Sequence, residues 1–185
     1  YGEHKIAGDA GNVAHVGVHV YASRDLLSWR DSGIALAVSD DPESEIATGC
    51  VIERPKVVYN RPTRKFVLWF HLELKGQGYS ASRSGVAVSD SPTGPFRYLR
   101  SVRPAAGVWP DGRGAEQKLV VAEAAALRGR AFSGGVNDEV PQLPILARDV
   151  EGGQMARDMT IFVDDDGKAY HLFSSEENST LHLSL

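Results

Sequence analysis

RPKVVYNRPTRKFVLWFH, residues Arg54 to His71, is written a second time as RDMTIFVDDDGKAYHLFS, residues Arg157 to Ser174. The two stretches align without a gap: Arg54 falls on Arg157, Tyr59 on Phe162, Lys65 on Lys168 and Phe70 on Phe173. Each reads as an apolar strand, a polar turn and a second apolar strand, which is the pattern of a β-hairpin. In the later copy the turn is Asp164-Asp165-Asp166-Gly167, where the glycine can take a positive φ. A calcium loop needs acids at alternate positions and a distal glutamate, so the triple Asp predicts a solvated turn, and a structural calcium is not indicated.

A shorter echo surrounds the first hairpin. Gly17-Val18-His19-Val20 and Gly85-Val86-Ala87-Val88 both alternate, and each leads through a turn to an aromatic residue, Trp29 and Phe96. After the second hairpin, Thr180-Leu181-His182-Leu183 stands where a strand of this kind belongs. Four antiparallel strands repeated at roughly 50–70 residues describe a propeller blade. A β-sandwich also has many short strands and is the alternative, but the long echo favours the propeller.

The second hairpin arrives later than the shorter echo would place it, and the surplus falls between Trp109 and Gln154. An insertion at about 110–154 is therefore expected, with Leu119 to Leu127 a short helix or a buried strand. The whole chain, 1–185, reads as one partial propeller of about three blades, too few to close a ring. It is expected to be truncated at both ends, and Tyr1-Gly2-Glu3 reads as the end of a strand.

Composition narrows the partners. With 42% hydrophobic and 24% charged residues the chain is ordinary for a globular protein. A formal charge of −4 argues against nucleic acid or an anionic membrane, both of which want a basic face. No apolar run approaches the ~18 residues that span a bilayer. Cys50 is the single cysteine, so an internal disulfide is excluded and a small buried thiol is the simplest reading.

No nucleophile elbow, phosphate loop or zinc-protease motif occurs. His15 and His19 share a strand face, but at ~3.3 Å per residue they stand roughly 13 Å apart, too far for one metal. No cofactor is expected. The carboxylates say more. Glu53 opens one apolar strand beside Arg54, and Asp158 opens another beside Arg157. Strands of neighbouring blades start around a central channel, so these acids are expected to converge there. Glu3, His71, Tyr79, Glu176, Glu177 and Asn178 lie at comparable strand ends. Acids, amides and aromatics around one pocket suit a sugar: carboxylates take hydroxyls, and ring faces cover C–H surfaces. Two acids in such a pocket are also what glycoside hydrolysis uses.

The segments YGEHK, VYASRDLLSWRDSGIAL, VIERPKVVYN, RKFVLWFHLELKGQGYS, GVAVSDSPTGPFRYLRS and RDMTIFVDDDGKAYHLFSSEENSTLHL together resemble glycoside hydrolase family 43. The likeness is strongest to its branch of exo-β-1,3-galactanases and covers nearly all of the chain outside the insertion. It implies a five-bladed propeller and hydrolysis with inversion, releasing galactose from the β-1,3-galactan of plant polysaccharides. It implies an oligo- or polysaccharide partner and a secreted or periplasmic setting, although no leader is present in this sequence. Asp158 in RDMTIF matches the acid that orients the general acid and tunes its pKa. Glu53 in IERPK and Glu3 in YGEHK match substrate-holding glutamates, and Tyr79 in GQGYS matches a sugar contact. The family's general acid lies in an Arg-Glu-Ala-Pro type segment beyond the Asp-Asp-Asp-Gly hairpin, which this sequence does not reach. The residue at the base position is absent too. Neither Glu176 nor Glu177 is assigned as proton donor, and the chain alone is expected to be inactive. An arabinofuranosidase or xylosidase of the same fold, and a non-catalytic sugar-binding propeller, are the alternatives.

Overall fold

The repeated hairpins fold as two separate pairs of strands. A computed structural model of the chain describes residues 1–5, 13–108, 151–175, 178 and 180–185. Those residues form strands and turns with no helix: β1 (Gly2–His4), β2 (Gly17–Ser23), β3 (Trp29–Ala37), β4 (Val51–Asn60), β5 (Lys65–Glu73), β6 (Arg83–Ser89), β7 (Arg97–Val102), β8 (Met159–Val163), β9 (Ala169–Ser175) and β10 (Thr180–Ser184). They pair into three antiparallel meanders: β1-β2-β3, β4-β5-β6-β7 and β8-β9-β10. The chain is all-β over these residues, with three sheets where a sandwich has two.

Two compact units are present, Tyr1–Pro104 with Met155–Leu185, and Ala105–Gln154. In the second unit, Val108 N–H closes a turn on the Ala105 carbonyl at 3.0 Å. Residues 109–150 lie outside the described residues, and with them most of the expected insertion and the helix or strand at Leu119 to Leu127.

In the first unit, β4-β5 and β8-β9 open two different sheets. Their inward positions match. Val57 faces Leu68 across one hairpin, and Ile161 faces His171 across the other. Phe70 and Phe173, one on each second strand, are both fully buried. The alignment is not gapless, however. The connection after Tyr59 is one residue longer than the one after Val163, and β4 carries a bulge between Glu53 and Lys56. Arg54 sits in that bulge with φ 54°, a conformation that costs a side-chain-bearing residue some strain. The consequence is a shift in equivalence. Arg54 does not match Arg157; instead Glu53 stands opposite His71, and Asp158 stands opposite Ser174, whose N–H it accepts at 2.8 Å.

The shorter echo also holds, down to its irregularity. β2 pairs with β3 through a bulge between Val18 and His19, and β6 pairs with β7 through one between Val86 and Ala87, although β2 has a second shift between His19 and Tyr21. Gly17 and Gly85 begin the alternation in each, and both are there for space. A Cβ on Gly17 would lie 2.0 Å from the Leu36 carbonyl, and one on Gly85 would lie 2.3 Å from the Phe70 ring. The aromatic residues do not correspond. Phe96 is buried in the core while Trp29 is half exposed, because the β2-β3 connection is shaped differently from the β6-β7 one.

One core fills the space between the first two sheets, with Val18, Leu36, Ile52, Leu68, Phe70 and Phe96 at its centre. Cys50 is buried in it, and burial pushes its thiol up to about 11, so it is no nucleophile at neutral pH. A smaller cluster of Ala156, Met159 and Phe173 packs against Trp69, which ties the third sheet to the second. The Trp69 and His171 rings meet there, tilted by 34°, with 5.4 Å between centroids. Strand β4 lies beside β1 on one side and β8 on the other, so the beginnings of three sheets meet.

Candidate active site

Where β1, β4 and β8 meet, their acidic residues come together through shared cations. Glu3 on β1 accepts the Arg54 backbone N–H at 3.1 Å, an atom that the bulge turns towards it. The Arg54 guanidinium spans to the third sheet, its Nε donating to Asp158 Oδ1 at 2.7 Å while Nη1 lies 3.7 Å from Glu3. Lys5, just past β1, stands 3.1 Å from Glu3 and 3.2 Å from Glu53. One lysine and one arginine thus knit three carboxylates from three sheets. Packing the acids this closely needs the cations, since like charges at short range repel strongly.

Glu53 is the most enclosed of the three, with a side chain 13% exposed. Its Oε1 accepts the Tyr79 hydroxyl at 3.0 Å, and its Oε2 faces His71 Nδ1 at 3.4 Å, a close ion-pair distance whose direction falls short of a hydrogen bond. The His71 imidazole, with help from Tyr79 and Lys5 and against the effect of burial, holds the Glu53 carboxyl down to about 2. Glu53 is a fixed charge across the working range of pH.

Tyr79 follows β5 in a loop that ends at Ser82, whose φ of 46° is again in the left-handed region. Its ring lies 5.9 Å from that of His71, with the Arg157 guanidinium 5.9 Å above its face. Arg157 also donates to the Tyr79 carbonyl at 2.8 Å and to Ser82 Oγ at 3.2 Å. The aromatic wall is therefore held by residues from two sheets.

Of the residues expected from the sequence, Glu3, Glu53, His71, Tyr79 and Asp158 gather here. His71 is buried, and its ring supports Glu53 instead of facing solvent. Asn178 accepts the Ser174 hydroxyl at 2.6 Å, at the same end of the third sheet as Asp158. Glu176 and Glu177 lie outside the described residues. The triple Asp makes its turn: Gly167 N–H closes on the Asp164 carbonyl at 2.8 Å, and Asp166 caps Lys168 N–H at 2.9 Å. His19 is engaged by His4 Nδ1 at 2.9 Å and by Asp31, not by His15. No group of His, Cys, Asp and Glu among the described residues is arranged to hold a metal ion.

Sequence reasoning passed over Lys5, Arg54, Arg157, Glu73 and Ser82. Glu73 left a readable sign: a glutamate inside the apolar run FVLWFHLEL must be paired if it is buried. Arg54 left none, because its role depends on a bulge that alternation cannot show.

No protein-family model and no curated protein matches the chain. Solved structures do. A family 43 β-1,3-galactosidase, solved with galactodeoxynojirimycin, superposes with a TM-score of 0.79 at 44% identity over 93% of this chain. The chain belongs to glycoside hydrolase family 43. An exo-β-1,3-galactanase from Clostridium thermocellum matches 99% of this family 43 chain at 34% identity, with a TM-score of 0.65. One from Phanerochaete chrysosporium, solved with β-1,3-galactotriose, matches 95% at 25% identity, with a TM-score of 0.64. The chain spans 50% of the first structure's length, 30% of the second's and 29% of the third's.

Proposed function

We propose that this chain belongs to an inverting glycoside hydrolase that releases galactose from β-1,3-galactan, and that its three sheets are blades of a five-bladed propeller. The observation that carries this reading is the meeting of Glu3, Glu53 and Asp158 at the beginnings of three sheets, with Tyr79 as an aromatic wall. A galactose ring offers hydroxyls that a carboxylate accepts bidentately and a C–H face that an aromatic ring covers. The neighbours solved with galactotriose and with an iminosugar add weight to that sugar class.

Inversion needs an acid that protonates the leaving oxygen and a base that activates water on the opposite face, roughly 6.5–9.5 Å apart to admit the water. In this reading Glu3 and Glu53 hold the sugar. Asp158 orients the general acid, and its negative charge keeps that acid protonated until the bond breaks. Asn178, at the same sheet end, and Glu177 are further substrate contacts. The substrate is an extracellular polysaccharide, so the enzyme is expected to be secreted or periplasmic.

The test is the release of galactose from β-1,3-galactan by the full-length protein, with the anomer read by proton NMR in the first minutes. Release of α-galactose supports the proposal. Release of the β anomer overturns inversion, and turnover of aryl arabinofuranosides or xylosides alone moves the enzyme to another sugar. Sugar binding without any turnover makes it a binding propeller.

A further inference from the structure

Behind the groups that would touch a sugar lies a carboxylate that no sugar can reach. Glu73, the last residue of β5, is fully buried. Its Oε1 lies 2.8 Å from His71 Nε2, and its Oε2 accepts the Ser82 N–H at 2.8 Å. The Ser82 hydroxyl adds a longer bond at 3.4 Å. His71 is itself buried, and its second nitrogen faces Glu53. The order across the site is therefore Glu73, His71, Glu53, then the open side with Tyr79 and Lys5.

An imidazole between two carboxylates has a clear preference. A neutral ring carries one N–H, so one carboxylate would face a lone pair; an imidazolium offers a proton to both. Burial pushes His71 towards the neutral form, but Glu53 and Glu73 outweigh it, and the ring keeps its proton above the ordinary range. The charged groups that face the ring are Glu53 on β4, Glu73 on β5 itself and, beyond Glu53, Lys5 after β1. Tyr79 is the other titratable neighbour, and Arg157 lies beyond its ring. Glu73 is not on the sugar's side of this arrangement, and nothing about sugar contact explains a fully buried glutamate there.

We propose that Glu73 and His71 are positioning residues that hold Glu53 as a rigid, permanently charged acceptor for a sugar hydroxyl, so that sugar affinity has an alkaline limit set by His71. Loss of the His71 proton leaves Glu53 facing a lone pair, and its Oε2 turns away. The reacting acids are untouched by that event, so the effect falls on KM and not on kcat. This inference rests on the reading of Glu53 as a sugar-holding residue.

Two measurements test it. In the unaltered full-length protein, the ring nitrogens of His71 followed by ¹⁵N NMR should show an imidazolium that loses its proton above the ordinary midpoint of 6.5. KM for β-1,3-galactobiose should rise with pH in step with that titration. A His71 ring that titrates at or below 6.5 overturns the proposal without any variant. In Glu73→Gln, KM should rise about tenfold or more with kcat within about threefold, and both the ring titration and the rise in KM should move to lower pH. Unchanged KM and an unchanged profile in a folded Glu73→Gln also overturn it. Should that variant not fold, the parallel between ring titration and KM in the unaltered protein decides. A full-length unaltered protein that turns over no galactan sinks the proposed function instead, while the ring titration still decides whether Glu73 and His71 fix the charge on Glu53.

Discussion

Glu53 and Asp158 occupy the same place in two neighbouring sheets, each opposite the matched residue of the next strand, and they live in opposite surroundings. Glu53 is 13% exposed and is held by His71, Tyr79 and Lys5. Asp158 is 56% exposed, and its carboxylate takes the Arg54 guanidinium. Embedding separates the two roles. A carboxylate locked among cations and a hydroxyl can only be a fixed charge, suited to holding a sugar. One that stands in the open beside a single arginine can turn towards a neighbouring acid and raise that acid's pKa. The repeat therefore supplies two equivalent positions, and the residues behind each decide what it does.

The sharpest way to break this comparison is to neutralise the open acid. Asp158→Asn is nearly isosteric, and in the full-length enzyme it should lower kcat by about 10²-fold or more, the scale on which general acid catalysis operates. Without the negative charge the neighbouring acid loses its proton more readily, so the alkaline limb of the pH–rate profile should move to lower pH. The melting temperature should barely change, because an exposed ion pair contributes little to stability. A profile that stays in place, with full kcat, would remove Asp158 from the mechanism.

Neutralising the enclosed acid should act differently. Glu53→Gln should cost about 10- to 100-fold in kcat/KM, carried mainly by KM, since a hydroxyl loses its charged acceptor. It should also destabilise the protein by about 1–3 kcal/mol, because His71 and Lys5 keep their burial and lose a partner. If kcat falls while KM holds, Glu53 belongs with the reacting groups and the contrast with Asp158 disappears.

The same pair of hairpins differs inside. At the matched inward position the second sheet has Leu68, and the third has His171. Burial pushes the His171 imidazole down to about 4, and its hydrogen-bond partner Ser84 lies at 3.5 Å. Unfolded, this ring takes its proton near 6.5, so the unfolded chain binds more protons between that value and about 4. The contribution is intact above 6.5 and is lost as the pH falls through this window. By about pH 5 the loss is roughly 2 kcal/mol, read as a falling midpoint in urea. His171→Leu, which copies the second sheet, should flatten that part of the pH dependence. Amide exchange should show β8-β10 opening before β4-β7 as the pH is lowered.

Much of this was legible in the sequence, and the limits have physical causes. The hairpins, their division between sheets and the convergence of Glu3, Glu53 and Asp158 follow from period-two alternation and a repeat. The exact match of positions did not, because a bulge at Arg54 and a longer turn each shift the numbering by one without disturbing the apolar pattern. Both changes fall where side chains are polar, so an alignment by residue type passes over them. The buried pair of His71 and Glu73 was half legible. A histidine was expected to meet the sugar directly, whereas burial on both sides of the end of β5 turns it into a support for Glu53.

The smallest expected effect belongs to the acids of the β8-β9 turn, and it makes the comparison between Glu53 and Asp158 exact. Asp165 lies seven positions along from Asp158, carries the same charge and is also exposed. Its backbone N–H, not its carboxylate, makes its part of the turn, donating to Asp164 Oδ1 at 2.7 Å. Asn reproduces the local geometry of a turn aspartate, so Asp165→Asn should leave stability within about 0.5 kcal/mol of the parent. It should also leave kcat, KM and the pH–rate profile unchanged, because the turn lies at the far end of β8 from the acids and mobile ions screen one exposed charge over that length. Measured beside Asp158→Asn in the same buffer, it separates loss of a charge from loss of a placed charge. Equal falls in activity for the two variants would mean that Asp158 acts only through the protein's overall field, and that the meeting of three sheets is not the active site.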